Sequence, residues 1–167
     1  MIFSKNIVDY SIIKPLTITG CNIDIVNHIK YLGVTITSGP AFSFSHEADL
    51  RSFYRSANSI LNQIQTKNDS IQMHLLYSHC VPCFSYASAK KDYSSRQMND
   101  CNTALNDSIR KIFTFQRWES VGTLREGFGY PSLTDIFEKA RKKFQESLPG
   151  HRNSTISRLS KYMAADT

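Results

Sequence analysis

The chain has 167 residues, 41% of them hydrophobic and 20% charged, with a formal net charge of +6. That balance excludes an intrinsically disordered chain and allows one ordinary domain or two small ones. No run of about 18 apolar residues occurs, which excludes a hydrophobic membrane span, and four cysteines are too few for a disulfide scaffold in a chain this long.

Residues 1–38 read as extended. MIFS is apolar. LTITGCNIDIV sets Leu16, Ile18, Ile23 and Ile25 between polar residues, with Gly20-Cys21-Asn22 as the turn of a hairpin. HIKYLGVTITS continues as a β-branched and aromatic strand through Ile29, Tyr31, Leu32, Val34 and Ile36, with Gly33 as a bulge or point of close approach. Ser38-Gly39-Pro40 ends it.

From Ser45 the period becomes helical. Leu50, Phe53, Ala57, Ile60, Leu61 and Ile64 recur at three and four, with Ser45 as the predicted N-cap. Asn68 offers a new cap, and Ile71 to Tyr77 is helical again until Pro82, after which Phe84 to Ala89 resumes the pattern. A third helix is predicted from Ser94 to about Phe115, with Met98, Cys101, Leu105, Ile109, Ile112 and Phe113 inward. A short one follows from Ser120 to Phe128. Pro131-Ser132 opens another, striped by Leu133, Ile136, Phe137, Ala140, Phe144 and Leu148 and stopped by Pro149-Gly150. A last short helix is expected between Ser154 and Met163. The expected fold is mainly α with a small N-terminal antiparallel β element, divided into residues 1–38 and a helical bundle over 45–167.

The signatures of common enzymes are missing. Gly127-Phe128-Gly129 has neither a third glycine nor a preceding strand, and no Gly-Lys-Ser/Thr phosphate loop occurs. His46-Glu47 begins like a zinc-protease motif, but Leu50 stands where the second histidine belongs. Cys80-Val81-Pro82-Cys83 admits three readings: buried packing thiols, half of a zinc site with His74, His79 or Cys101, or a redox pair. The residues before Cys80 are helical by period, which puts it near a helix C-terminus, where the dipole opposes a thiolate. If Pro82 instead opens a helix, Cys80 lies near its start. The start of the chain has no continuous apolar run, so no signal peptide is expected. An intracellular protein (cytoplasm or nucleus) is expected, with the Asn-x-Ser/Thr triplets at Asn68, Asn106 and Asn153 incidental.

The positive charge is uneven. Residues 101–167 hold eleven Lys/Arg against seven Asp/Glu. Arg110, Lys111, Arg117 and Arg125 lie around Phe113, Phe115 and Trp118, and Lys139 to Lys143 form a second cluster. Such sets neutralise phosphates and stack on bases, or serve only as a solvated basic face over core aromatics.

One ordered set of segments resembles the region after the catalytic palm in non-LTR retrotransposon reverse transcriptases. ITGCNIDIVNHIKYLGVTIT is similar to the strands that form the family's primer grip and lead into its thumb. RSANSILNQI resembles the first thumb helix. HLLYSHCVPCFSYAS resembles a segment with two leucines, a proline and a tyrosine, here Leu75, Leu76, Pro82 and Tyr86. NTALNDSIRKIF resembles the following Asn-x-x-x-Arg-x-Ile-Phe helix, and RWESVGTLREGFGYPSLTDIFEKARKKF the closing region. The set spans roughly residues 1–160. These polymerases use palm aspartates and two metal ions, whereas no Asp-Asp pair occurs in this chain.

The resemblance therefore implies a fragment of an RNA-directed DNA polymerase without catalysis of its own, with palm and fingers expected before residue 1. It implies no cofactor, Mg²⁺ belonging only to a full-length polymerase. The implied partners are an RNA/DNA template–primer duplex and the missing palm and fingers, with no membrane. The implied contacts are Lys30, Tyr31 and Gly33 near the primer end and Arg110, Lys111, Arg117, Lys142 and Lys143 on phosphates. Two other readings stand beside it: a helical protein-interaction module or decaying retroelement remnant with no nucleic-acid role, and a thiol oxidoreductase using Cys80 and Cys83.

Overall fold

The computed structural model describes residues 16–39, 43–63, 68–86, 88–89 and 93–158. The expectations for MIFS, Ile64 and the end of the last helix lie outside them. The described fold is mainly α with a small N-terminal antiparallel β element. It divides into two compact units, Met1–Ala48 and Asp49–Thr167.

The described residues of the first unit hold two hairpins. In the first, β1 (Thr17–Ile18) pairs with β2 (Cys21–Asn22), Thr17 opposite Asn22 and Ile18 opposite Cys21. Its turn is Thr19-Gly20, one residue earlier than the sequence suggests. A two-residue turn that follows the strand twist needs positive φ at both central residues. Thr19 (φ 50°) and Gly20 (φ 83°) supply it, which releases Cys21 and Asn22 to pair.

The second hairpin corrects a larger expectation. HIKYLGVTITS is not one strand with a bulge. It is β3 (His28–Tyr31) and β4 (Val34–Thr37), folded back at Leu32-Gly33 with φ of 46° and 79°. Tyr31 therefore faces Val34 and Lys30 faces Thr35 across the hairpin. β5 (Ser43–Phe44) adds to the other edge of β4 in the order β3-β4-β5, so the strand unit continues past Gly39. The Ser45 backbone N–H donates to the Thr35 carbonyl at 2.9 Å, which ties Ser45 to the sheet. The first helix accordingly begins only at Glu47.

In the second unit, α1 (Glu47–Gln63) buries Phe53 and Ala57. Asn68 caps α2 (Asp69–Leu75), its side chain accepting from the backbone N–H groups of Ser70 and Ile71. The chain then widens into a π-helical turn, Leu76–Cys80, before α3 (Pro82–Ser85). Pro82 explains the widening. It has no N–H, and its ring collides with the carbonyl a turn back in a regular helix. The Val81 N–H reaches past that turn to the Leu76 carbonyl at 3.1 Å, a five-residue step that makes room for Pro82 as the first residue of α3.

α4 (Ser95–Phe113) opens on a capping box between Ser94 and Gln97 and closes on Thr114 in the left-handed conformation. Two rows of its side chains are buried: Cys101, Leu105 and Ile109, and Ala104, Ser108 and Ile112. The Ser108 hydroxyl donates to the Ala104 carbonyl at 2.9 Å, so its burial leaves no donor unmet. α5 (Gly122–Gly127) is short. α6 (Leu133–Ser147) starts on a second capping box, Ser132 with Asp135, and buries Leu133 and Phe137. Residues 154–158 are helical.

The core is where these helices meet. The Phe53 and Phe84 rings stack at 4.5 Å, and both are fully buried with Met73, Leu76, Leu105 and Leu133. Each contributes about 1.5–3 kcal/mol by leaving water. Tyr93 locks α1, α3 and α6 together. Its hydroxyl lies 3.1 Å from the Phe84 carbonyl and 3.2 Å from the Asp49 carboxylate, and its ring stacks on Phe137 at 5.1 Å.

Candidate nucleic-acid interface

Three of the expected contacts lie at the C-terminal end of α4, Arg110 and Lys111 in its last turn and Arg117 in the turn that follows, in different states. Arg110 is engaged within the chain. Its Nη1 meets Asp107 Oδ1 at 2.9 Å, and its Nε donates to the Glu119 carbonyl at 3.1 Å. Lys111 and Arg117 are exposed, and among the described residues neither has a hydrogen-bond or ion-pair partner.

The loop after α4 is a clamped turn. The Phe115 N–H donates to the Arg110 carbonyl at 2.9 Å, and Phe115 packs beside Phe113. The Glu119 N–H donates to the Gln116 carbonyl at 3.1 Å, closing a β-turn whose corner residues are Arg117 and Trp118. The Glu119 carboxylate accepts from the Gln116 N–H, which braces the turn from inside. Val121, buried, anchors the far side. Trp118 is left 82% exposed at the corner.

Lys111 also borders an open cleft of about 700 Å³ between α1, α2 and the end of α4. Asn58, Asn62, Asp69, Gln72 and Thr114 share its rim over a floor of Leu61 and Ile112. Carboxamides, a hydroxyl and an ammonium offer donors suited to sugar oxygens, while the Asp69 carboxylate on the same rim accepts hydrogen bonds and disfavours a phosphate there. These residues carry no sequence motif, because three separate helices supply them.

The remaining expected contacts lie elsewhere. Lys142 and Lys143 stand exposed on α6 with no ion-pair partner among the described residues, on the side away from Phe137. Lys30, Tyr31 and Gly33 belong to the β3–β4 hairpin of the first unit, with Lys30 exposed and Tyr31 63% exposed. Gly33 serves the turn itself through its φ of 79°. That unit also exposes Leu16, Ile18, Ile29 and Leu32, of which Leu16 and Leu32 are more than 70% exposed. Arg125, from the same basic set, is only partly exposed, and its Nε is buried without a hydrogen-bond partner among the described residues.

The Cys80 region is packed around aromatic contacts. Tyr77 stacks on Tyr130 at 4.2 Å and donates its hydroxyl to the Pro131 carbonyl at 3.2 Å, fastening the α5–α6 connection onto the π-turn. Burial pushes the Tyr77 phenol up to about 12, against the pull of the Arg125 guanidinium. Pro82 does open a helix, yet Cys80 is fully buried, and burial with the neighbouring Cys83 pushes its thiol up to about 11. That environment opposes the thiolate a redox pair needs. Among the described residues no group of three His, Cys, Asp or Glu side chains is placed to hold a metal ion. No described helix is long and apolar enough to cross a membrane. No protein-family model, no curated protein and no solved structure matches this chain.

Proposed function

We propose that the chain is a nucleic-acid-binding module of the reverse-transcriptase thumb type, which grips a template–primer duplex through its phosphates and performs no polymerase chemistry itself. The observation that carries this reading is the exposed cationic end of α4 and the turn after it: Lys111 and Arg117 are exposed with no acidic partner among the described residues, and Trp118 stands outward at the corner of that turn. Lys142 and Lys143 add a second exposed basic site on α6. Cations left open to solvent bind a polyanion by releasing its counterions, and the contact is blind to sequence. The ordered resemblance of five segments to the primer-grip and thumb region supplies the same reading from the sequence. Chain extension by two metal ions would need carboxylates from elsewhere, because no Asp-Asp pair lies in these residues. In this reading the β3–β4 hairpin, with Lys30, Tyr31 and Gly33, approaches the primer end.

A filter-binding titration with an RNA–DNA duplex tests the reading. It expects retention at low salt that weakens steeply as salt rises and does not depend on base sequence. Absence of retention at low salt would remove it.

A second reading has its own observation. The apolar side chains exposed on the strand unit, including Leu16, Ile18, Ile29 and Leu32, suit a protein partner more than a phosphate backbone. Concentration-dependent self-association, abolished by changing Ile18 and Ile29 to threonine, would favour that use of the unit.

A further inference from the structure

Trp118 is the least expected residue on the surface. It is the largest side chain in the repertoire, it is 82% exposed, and its turn is not loose. Four contacts hold the turn: the Glu119 N–H on the Gln116 carbonyl, the Glu119 carboxylate on the Gln116 N–H, the Arg110 Nε on the Glu119 carbonyl, and the Phe115 N–H on the Arg110 carbonyl. A rigid turn that holds a large aromatic in water forgoes the stabilisation its burial would bring.

The surroundings decide what the indole is presented to. Its neighbours in the turn, Gln116, Arg117, Glu119 and Ser120, are all exposed and polar, unlike the apolar residues that form the centre of a protein interface. The other corner residue of the turn is the exposed Arg117. The Glu119 carboxylate, the nearest negative charge in sequence, is turned back onto the Gln116 N–H. A flat π-face beside an exposed guanidinium matches a nucleobase joined to its phosphate.

We propose that Trp118 stacks on an unpaired base of the bound nucleic acid while Arg117 pairs with the adjoining phosphate, so that the turn reads single-stranded or overhanging nucleotides beside the duplex. This rests on the nucleic-acid reading above. Stacking is indifferent to base identity, because every base offers a π-face, so the contact adds affinity for unpaired strand without adding sequence preference.

The chain contains one tryptophan, so its intrinsic fluorescence reports on this site alone. The test uses the full chain and three fluorescein-labelled probes: a single-stranded oligothymidylate, a hairpin duplex with a 5′ overhang, and the same hairpin blunt-ended. Binding is followed by probe anisotropy and stacking by tryptophan emission. Strong quenching is expected with the first two probes and little with the blunt hairpin, although all three bind. Trp118→Ala should weaken the single-stranded and overhanging probes about 10- to 100-fold, leaving the blunt hairpin within about twofold. Trp118→Phe, judged by anisotropy, should recover most of the loss. Binding of all probes with no quenching, or equal quenching by the blunt hairpin, would overturn the stacking role and leave the duplex reading standing. No binding of any probe would overturn both. Emission that shifts to the blue with rising protein concentration, in the absence of nucleic acid, would assign the indole to a protein contact instead.

Discussion

Arg110→Met separates two roles that one arginine could hold. The guanidinium joins Asp107 to the Glu119 carbonyl, at 2.9 and 3.1 Å, and so fixes the turn that carries Arg117 and Trp118. Its side chain is 21% exposed and that of Asp107 is 44% exposed, so solvent limits the ion pair to about 0.5 kcal/mol. The hydrogen bond from a charged donor to the carbonyl adds about 1–1.5 kcal/mol. Methionine keeps the apolar stem and removes both contacts, for a loss of about 1.5–2 kcal/mol, or roughly 3–8 °C in Tm for a chain of this size. Thermal melts by circular dichroism measure that loss. A salt titration of duplex binding measures the other role. If Arg110 is committed to the turn, Tm falls and the slope of log K against log salt is unchanged. An unchanged Tm with a slope shallower by about 0.9 would make Arg110 a phosphate contact and refute the strut.

Three further outcomes follow from particular residues. Leu32 sits in the left-handed region at φ 46° and is 74% exposed, a conformation that costs an ordinary side chain about 1–2 kcal/mol, so Leu32→Asn should slow hydrogen exchange in the β3–β4 hairpin several-fold; unchanged or faster exchange would contradict the turn. Phe84→Ala empties the fully buried stack against Phe53 and should cost about 3–5 kcal/mol by urea denaturation, whereas a cost below about 1 kcal/mol would mean the ring is not packed as described. The Cys80 thiol is raised from 9.0 to about 11 in the folded chain, so above pH 9 the unfolded chain gives up its proton first and stability falls as pH climbs toward 11. Below pH 9 both states hold the proton and the Cys80 contribution is constant. Cys80→Ala should flatten that alkaline decline, and an identical pH profile in the variant would place its cause elsewhere.

The helices were legible because their signals are local. The helix starts expected at Ser94 and Ser132 are where the structure has them, each closed by a capping box, with Gln97 and with Asp135. The inward row Cys101, Leu105 and Ile109 follows from helical period alone. The hairpin turns were less legible, because period-two patterning does not say where a strand reverses. Gly33 was visible as a special position, but its role depends on Leu32 adopting an unfavourable φ beside it, which leucine does not advertise. The π-turn at Leu76–Cys80 is a response to Pro82 that composition alone leaves open between a kink, a break and a bulge. At the candidate interface the charges could be counted in the sequence, but not which of them are already engaged. Arg110 and Lys111 are neighbours in sequence, yet one braces a turn and the other faces solvent. The cleft lined by Asn58, Asn62, Gln72 and Lys111 arises only when three helices meet.

The most direct test of the nucleic-acid reading is the salt dependence of duplex binding, measured for the chain and for a variant with Lys111, Arg117, Lys142 and Lys143 all changed to glutamine. All four side chains are exposed, so the variant should keep its fold and its Tm. For the unaltered chain we expect log K to fall linearly with log salt, with a slope of about −3 to −4 if those four cations each meet a phosphate. The variant should lose most of its affinity and most of that slope. Equal affinity and slope in the two proteins, or no duplex binding by either at low salt, would contradict the account.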